Sequence, residues 1–350
     1  MTSANRGEWS ELYALGYLLV HGGGYAADEQ ANIDRNIFYR VLEIVDNPSG
    51  REATTYTVED SEVHISKEGF GIVKILKSDI APELSKFFDD LVAKTDARAF
   101  SLNSGDALMA LFHKTKLSAA STLSQDLQMV LEDRDSKLPT PLRGFSVKSE
   151  IGAAATVLNA SHSTNITYEV IGLTKSPKFT DPSKVKKNIK ELKSNGFSLK
   201  FDSFDSATFN ESLANIDSNL PEYLSELMLS YFENTTRTRS ILSLCELKWG
   251  NGSKEDKLKI SKIKKFLSAI SMGLRPNQIW SGYPQDFGGL LLVKENGDVL
   301  FYYLYNLKRF EEYLYSMLKF DTPSTARHGF GQLYEIEGKQ FLKLNLQIRF

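Results

Sequence analysis

The sequence predicts an α/β fold in which a mixed sheet is flanked by helices. Three observations carry this expectation. Residues 125–132 and 145–148 alternate apolar and polar side chains with the period of two that a strand imposes. Residues 8–20 instead place Trp9, Leu12, Tyr13, Gly16 and Val20 on one helical stripe. Farther along, Asn296-Gly297 parts two apolar runs, the strongest short signal for a β-hairpin.

In chain order, the helix at 8–20 ends at Gly22-Gly23-Gly24. That triplet has neither a preceding strand nor the following Lys-Ser/Thr of a phosphate-binding loop. Residues 36–46 and 56–76 read as mainly extended, with a helix at about 81–94. The strands at 125–132 and 145–148 are parted by the polar stretch 133–137 and the turn Pro139-Thr140-Pro141. A strand at 166–173 leads into a proline-containing connector at 174–183. The second half opens with a basic helix near 185–193 and a strand at 197–201. Helices follow at about 207–216, 221–233 and 254–271. A hairpin at 288–294 and 298–305, a helix at 307–317 and a last hairpin turning near Glu337-Gly338 complete the chain. The organisation expected is a core over 1–174 and a second region over 175–350, as two domains or one continuous one.

Composition narrows the class. With 350 residues the chain can bury a large core, and 41% hydrophobic with 25% charged residues is the balance of a soluble globular protein. No apolar run nears the roughly 18–20 residues that span a bilayer, and no secretory signal pattern opens the chain. A single cysteine, Cys245, fits a reducing cytoplasm. Set among Ile241, Leu242, Leu244 and Leu247, it reads as a buried inert thiol. One cysteine and 5 histidines offer no zinc-ligand spacing. Net charge is −2, but residues 1–150 carry −7 and the remainder +5. The lysines at 175–193 and 254–265 make much of that excess. They fit solvated helix faces, or contacts to a polyanion that release its counterions.

The residues with chemistry cluster on the alternating strands. Asp126, Gln128 and Val130 share one face, and Ser146 and Lys148 share one face of the next strand. Side by side, the strands bring Asp126, Ser146 and Lys148 together, the layout of a metal-dependent phosphodiesterase site. An aspartate and a lysine so placed also occur in α/β proteins without catalysis. Glu8 and Glu11, three apart, occupy neighbouring positions on one helix face, where they equally suit the helix dipole. The small polar run at 152–165 allows either close helix packing or the approach of a phosphate backbone. Asn159, Ser161, Ser163, Thr164 and Asn165 are its neutral donors. His162, solitary in a polar loop, is not read as a catalyst. At the terminus Lys343, Asn345, Gln347 and Arg349 alternate with Leu344, Leu346 and Ile348. That is one strand face, either plain surface or a face that reads base edges.

Four stretches carry a resemblance across the chain. They are Arg6-Gly7-Glu8-Trp9-Ser10-Glu11-Leu12-Tyr13 with Tyr25-Ala26-Ala27-Asp28-Glu29; Gly144-Phe145-Ser146-Val147-Lys148-Ser149 with Leu158-Asn159-Ala160-Ser161 and Thr164-Asn165; Thr322-Pro323-Ser324-Thr325-Ala326-Arg327-His328 with Phe330-Gly331; and the terminus from Leu342 to Phe350. In these the chain resembles the HpaII family of type II restriction endonucleases, which is similar to the PD-(D/E)xK nucleases. The usual second acid of that motif is here Ser146, so another carboxylate must compensate, Glu8 or Glu11 ahead of Glu150.

The resemblance implies Mg²⁺ held by Asp126, the main-chain carbonyl of Val147 and Glu8 or Glu11, with Lys148 on the attacking water and Ser146 on a bound water. It implies double-stranded DNA as substrate, with CCGG as the suggested site, a homodimer matching a palindrome, and a cognate DNA methyltransferase protecting the host. The DNA contacts expected are Asn159, Ser161, Thr164, Asn165, Arg327, His328, Lys343, Asn345, Gln347 and Arg349. Residues 1–174 become the nuclease core and 175–350 the recognition region. A structure-specific repair nuclease of the same fold, or a DNA-binding derivative without catalysis, are the alternatives.

Overall fold

A computed structural model of the chain describes residues 2–46, 53–69, 71–95, 98–117, 125–152, 156–172, 184–282, 286–323 and 328–350. Two compact units divide it. The first comprises Met1–Ala155 with Gln285–Phe310, the second Thr156–Pro284 with Glu311–Phe350. The segment 285–310, expected in the second region, thus belongs to the first unit. Its hairpin, Phe287–Val293 and Val299–Tyr303, pairs there in parallel with Arg143–Ser149.

The first unit is built on a nine-stranded mixed sheet. Its order is Gly23–Ala27, Val299–Tyr303, Phe287–Val293, Arg143–Ser149, Leu127–Leu131, Ile33–Asp46, Thr54–Val58, Glu62–Lys67 and Val73–Leu76. Gly23–Ala27 also pairs with the 14-residue strand Ile33–Asp46, so six of the strands close into a ring. Hydrophobic alternation explains the inward faces: Leu127, Met129 and Leu131 are buried, as are Phe145 and Val147. The expected strand at 125–132 is shorter, and Asp126 stands just ahead of it.

The helix Arg6–His21 packs against this sheet. Asn5 caps it, accepting from the Glu8 N–H, while the Glu8 carboxylate accepts from the Asn5 N–H at 2.7 Å. Gly22 ends it with φ +69 and returns its N–H to Leu18. Buried Trp9 donates to the Phe100 carbonyl at 3.1 Å, and Tyr13 to the Gly297 carbonyl at 2.7 Å, which ties the helix to the hairpin. The helix Lys77–Ala93 brings Leu84, Phe87 and Leu91 into the same core. Asn103–Leu111 adds a helix that periodicity did not predict.

The glycine triplet has a packing role. Gly23 sits at φ +147, and a Cβ there would lie 2.1 Å from the Tyr39 carbonyl oxygen. Gly23→Ala is therefore expected to destabilise the fold by about 1–3 kcal/mol, readable as a lower denaturant midpoint.

The second unit holds two small sheets. One is antiparallel, ordered Ser198–Phe204, Asn165–Ile171, Lys339–Asn345, Leu333–Ile336; the other is Thr156–Leu158, Gln347–Arg349, Lys319–Asp321. The final hairpin turns at Glu337 and Gly338, both at positive φ, as its sequence predicts. Helices Val185–Ser194, Ala207–Ile216, Leu220–Glu233 and Lys254–Ser271 form close to expectation, and Ile241–Trp249 is additional. Cys245 lies buried on that last helix, its thiol pushed up to about 12 by burial. Among the described residues no helix is long and apolar enough to cross a membrane.

Candidate active site

A cavity of about 280 Å³ opens in the first unit where the N-terminal helix meets the strand Arg143–Ser149. Glu11, Asp126 and Lys148 line it together, beside Arg6, Gly7 and Ser10 from the helix and Val147 and Ser149 from the strand. The register explains the meeting. Leu127 pairs with Phe145 in antiparallel fashion, and the Asp126 N–H donates to the Phe145 carbonyl at 3.0 Å. The Asp126 carboxylate then accepts the Val147 N–H at 2.6 Å, which fixes it against the strand that carries Lys148.

The electrostatics of this cavity are unusual. Burial first, and the neighbouring Asp126 second, push the Glu11 carboxyl up to about 8, against the pull of Lys148. Asp126 is also raised by burial, with Lys148 and the Val147 N–H opposing. Two half-enclosed carboxylates that resist ionising side by side form a site short of positive charge. Their oxygens, with the Val147 carbonyl, are hard donors of the type a divalent cation takes. Among the described residues no group of three or more His, Cys, Asp or Glu side chains is placed to hold a metal. The protein's acidic contribution here is therefore the pair.

The three glutamates in question separate cleanly. Glu11 lines the cavity, Glu8 is spent on the helix cap, and Glu150 pairs with Lys294 at 2.8 Å. Ser146 is buried on its strand and does not line the cavity. The expectation that Ser146 and Lys148 jointly face the site holds only for Lys148. Arg6 was not anticipated, although it stands in the first motif.

In the second unit the expected common face of Lys343, Asn345, Gln347 and Arg349 is absent. The strand breaks at Leu346, leaving Gln347 and Arg349 in the other sheet, and both Asn345 and Gln347 are buried. Buried amides must find partners within the protein. Accordingly, Asn345 Nδ2 donates to the Ser161 carbonyl and to Asn165 Oδ1, each at 2.7 Å. Thr164 and Asn165 are buried as well; Asn165 Nδ2 donates to Asp205 and to the His328 carbonyl, each at 3.1 Å. Asp205, which the sequence did not single out, gathers Asn165, Thr167 and Lys343 on one carboxylate. Arg349 pairs with Asp321 at 3.0 Å. Asn159 is exposed, Ser161 and His328 half-buried; Arg327 lies outside the described residues, as do 153–155.

Comparison with known proteins follows the same lines. The family model described as HpaII restriction endonuclease matches residues 5–350, so the chain belongs to the HpaII restriction endonuclease family. It is an enzyme of the type II site-specific deoxyribonuclease class. Among its relatives is the type II restriction enzyme HpaII of Haemophilus parainfluenzae, 36% identical over 366 aligned residues that cover 99% of this chain and 98% of the relative. No solved structure matches the chain. Membership in the family favours the restriction reading over a repair nuclease or an inactive derivative.

Proposed function

We propose that the enzyme hydrolyses both strands of duplex DNA at a short palindromic site, for which the family resemblance suggests CCGG, and that it acts as a homodimer with Mg²⁺. The single observation that supports this reading most is the convergence of Glu11, Asp126 and Lys148 on one cavity. It corresponds to a PD-(D/E)xK site in which Glu11 on the helix replaces the acid that Ser146 lacks.

Glu11, Asp126 and the Val147 carbonyl would hold the cation. The chemistry it supplies when bound is neutralisation of phosphate charge and a lowered pKa for water. Asp126 is oriented for this by the Val147 N–H. Lys148 orients the attacking water and offsets the negative charge that develops on the phosphate. In this reading the first unit is the nuclease core. The second unit reads DNA through groups that reach its surface: Lys343, Arg349, His328, Asn159 and Ser161, with Arg327 completing the expected set. A two-fold dimer matches a palindrome because each protomer then meets one half-site. A cognate methyltransferase and a cytoplasmic location complete the picture.

Digestion of a sequenced plasmid tests the reading. Discrete fragments are expected with Mg²⁺ or Mn²⁺ and none with EDTA, and Zn²⁺ should substitute poorly. Undiminished cutting in EDTA, or smears without defined ends, would contradict it.

A further inference from the structure

The cavity that holds Glu11, Asp126 and Lys148 has a second cation on its wall, Arg6. Arg6 opens the N-terminal helix, and Gly7 beside it, one turn before Glu11 on the same face, puts no side chain into the space. The guanidinium is anchored: Nη2 donates to the Lys94 carbonyl at 2.6 Å, and the group lies 5.8 Å from the centre of the Phe100 ring. These two anchors are neutral, so they hold the side chain without cancelling its charge. Gly152 makes room for it. A Cβ at that position would stand 2.5 Å from Arg6 Cδ and 2.6 Å from Nε, and the glycine's φ of +90 turns the chain around the arginine. The backbone beyond the lysine strand is thus shaped to an arginine at the cavity wall.

Lys148 already acts on both carboxylates. A second, anchored cation on the same wall calls for an anion brought in from outside. We propose that Arg6 is a further catalytic residue, donating its guanidinium to a non-bridging oxygen of the phosphate that is cut in this cavity. The proposal rests on reading the cavity as the cleavage site. During hydrolysis the water oxygen bonds to phosphorus and the bond from phosphorus to the leaving sugar oxygen breaks. That oxygen keeps the electron pair and takes up a proton, while the water's proton passes to solvent. The non-bridging oxygens stay anionic throughout, and a planar fork fixed from behind is preorganised to hold one of them.

A double-mutant cycle in DNA binding tests this without metal. The probes are a short duplex bearing the cut sequence and its twin carrying a neutral methylphosphonate at the scissile position. Parent, Arg6→Gln and Lys148→Ala are compared on both. Expected is a coupling of about fivefold or more between Arg6 and that phosphate, so that Arg6→Gln binds the two probes in a different ratio from the parent. An unchanged ratio for Arg6→Gln alongside a changed one for Lys148→Ala would overturn the Arg6 assignment alone. Unchanged ratios for both would overturn the cavity reading with it. Should Arg6→Gln fail to fold, Arg6→Lys serves, since it keeps the charge but loses the fork. A folded Arg6→Lys is expected to cut at least about tenfold more slowly, and parental cutting by it would sink the proposal.

Discussion

Lys148→Ala is expected to fold, to bind its target duplex in Ca²⁺ and to leave that duplex uncut in Mg²⁺. The lysine sits on a strand held between two neighbours, paired with Leu292 on one side, so its backbone position does not depend on its side chain. Its charge acts on Glu11 and Asp126 at rest and, in the proposed reaction, on the phosphate as negative charge develops. A group that interacts chiefly with developing charge lowers kcat more than binding when removed. Loss of one such group typically costs on the order of 10²–10³ in rate. Removing the lysine also removes the influence that holds the two carboxyls down, so both should titrate higher in the variant. If Lys148 were an ordinary surface residue, stability would change by less than about 0.5 kcal/mol and cutting would persist. Melting temperature and plasmid cleavage on one preparation decide between these outcomes.

What could be read from the sequence was what neighbouring residues determine together. Alternation along 127–131 and 145–148 gave the inward faces, and Glu337-Gly338 announced its turn through backbone angles that few residues adopt. The capping pattern Asn5-x-x-Glu8 was legible too. Taken at its word, it removes Glu8 from the site and leaves Glu11. The failures are non-local or concern the surroundings of a face. Alternation says which residues share a side, not whether that side meets water, so Asn345 and Gln347 were taken for surface although the protein covers them. Nothing near Leu346 signalled that the strand changes sheets there. The return of 285–310 to the first unit depends on a parallel pairing between residues about 140 apart, which no local pattern encodes. The helix Ile241–Trp249 escaped because its apolar residues run around the whole cylinder rather than along one stripe.

Glu11→Gln should abolish cleavage and yet stabilise the metal-free protein above neutral pH. The sign follows from the carboxyl's two environments. In the unfolded chain Glu11 ionises near its ordinary 4.5, whereas in the fold burial and Asp126 push it up to about 8. Between those values the folded protein holds a proton that the unfolded chain has lost. Stability from this group is therefore complete below about pH 4.5 and declines as pH rises toward 8. Glutamine keeps the shape and cannot ionise, so it escapes that decline. At one pKa unit per roughly 1.4 kcal/mol, the gain at pH 8.5 should be on the order of 2–4 kcal/mol, fading to nothing near pH 4.5. Mg²⁺ should reverse the order, because a cation bound at Glu11 and Asp126 stabilises the parent and has lost a ligand in the variant. Glu8→Gln is the matched control. It weakens a helix cap worth about 0.5–2 kcal/mol and should leave cutting intact. Melting curves at pH 5 and 8.5, with and without Mg²⁺, read alongside plasmid cleavage, separate the two glutamates. Cutting at the parental rate by Glu11→Gln, or its loss in a folded Glu8→Gln, would move the second acid away from Glu11 and undo the site as drawn.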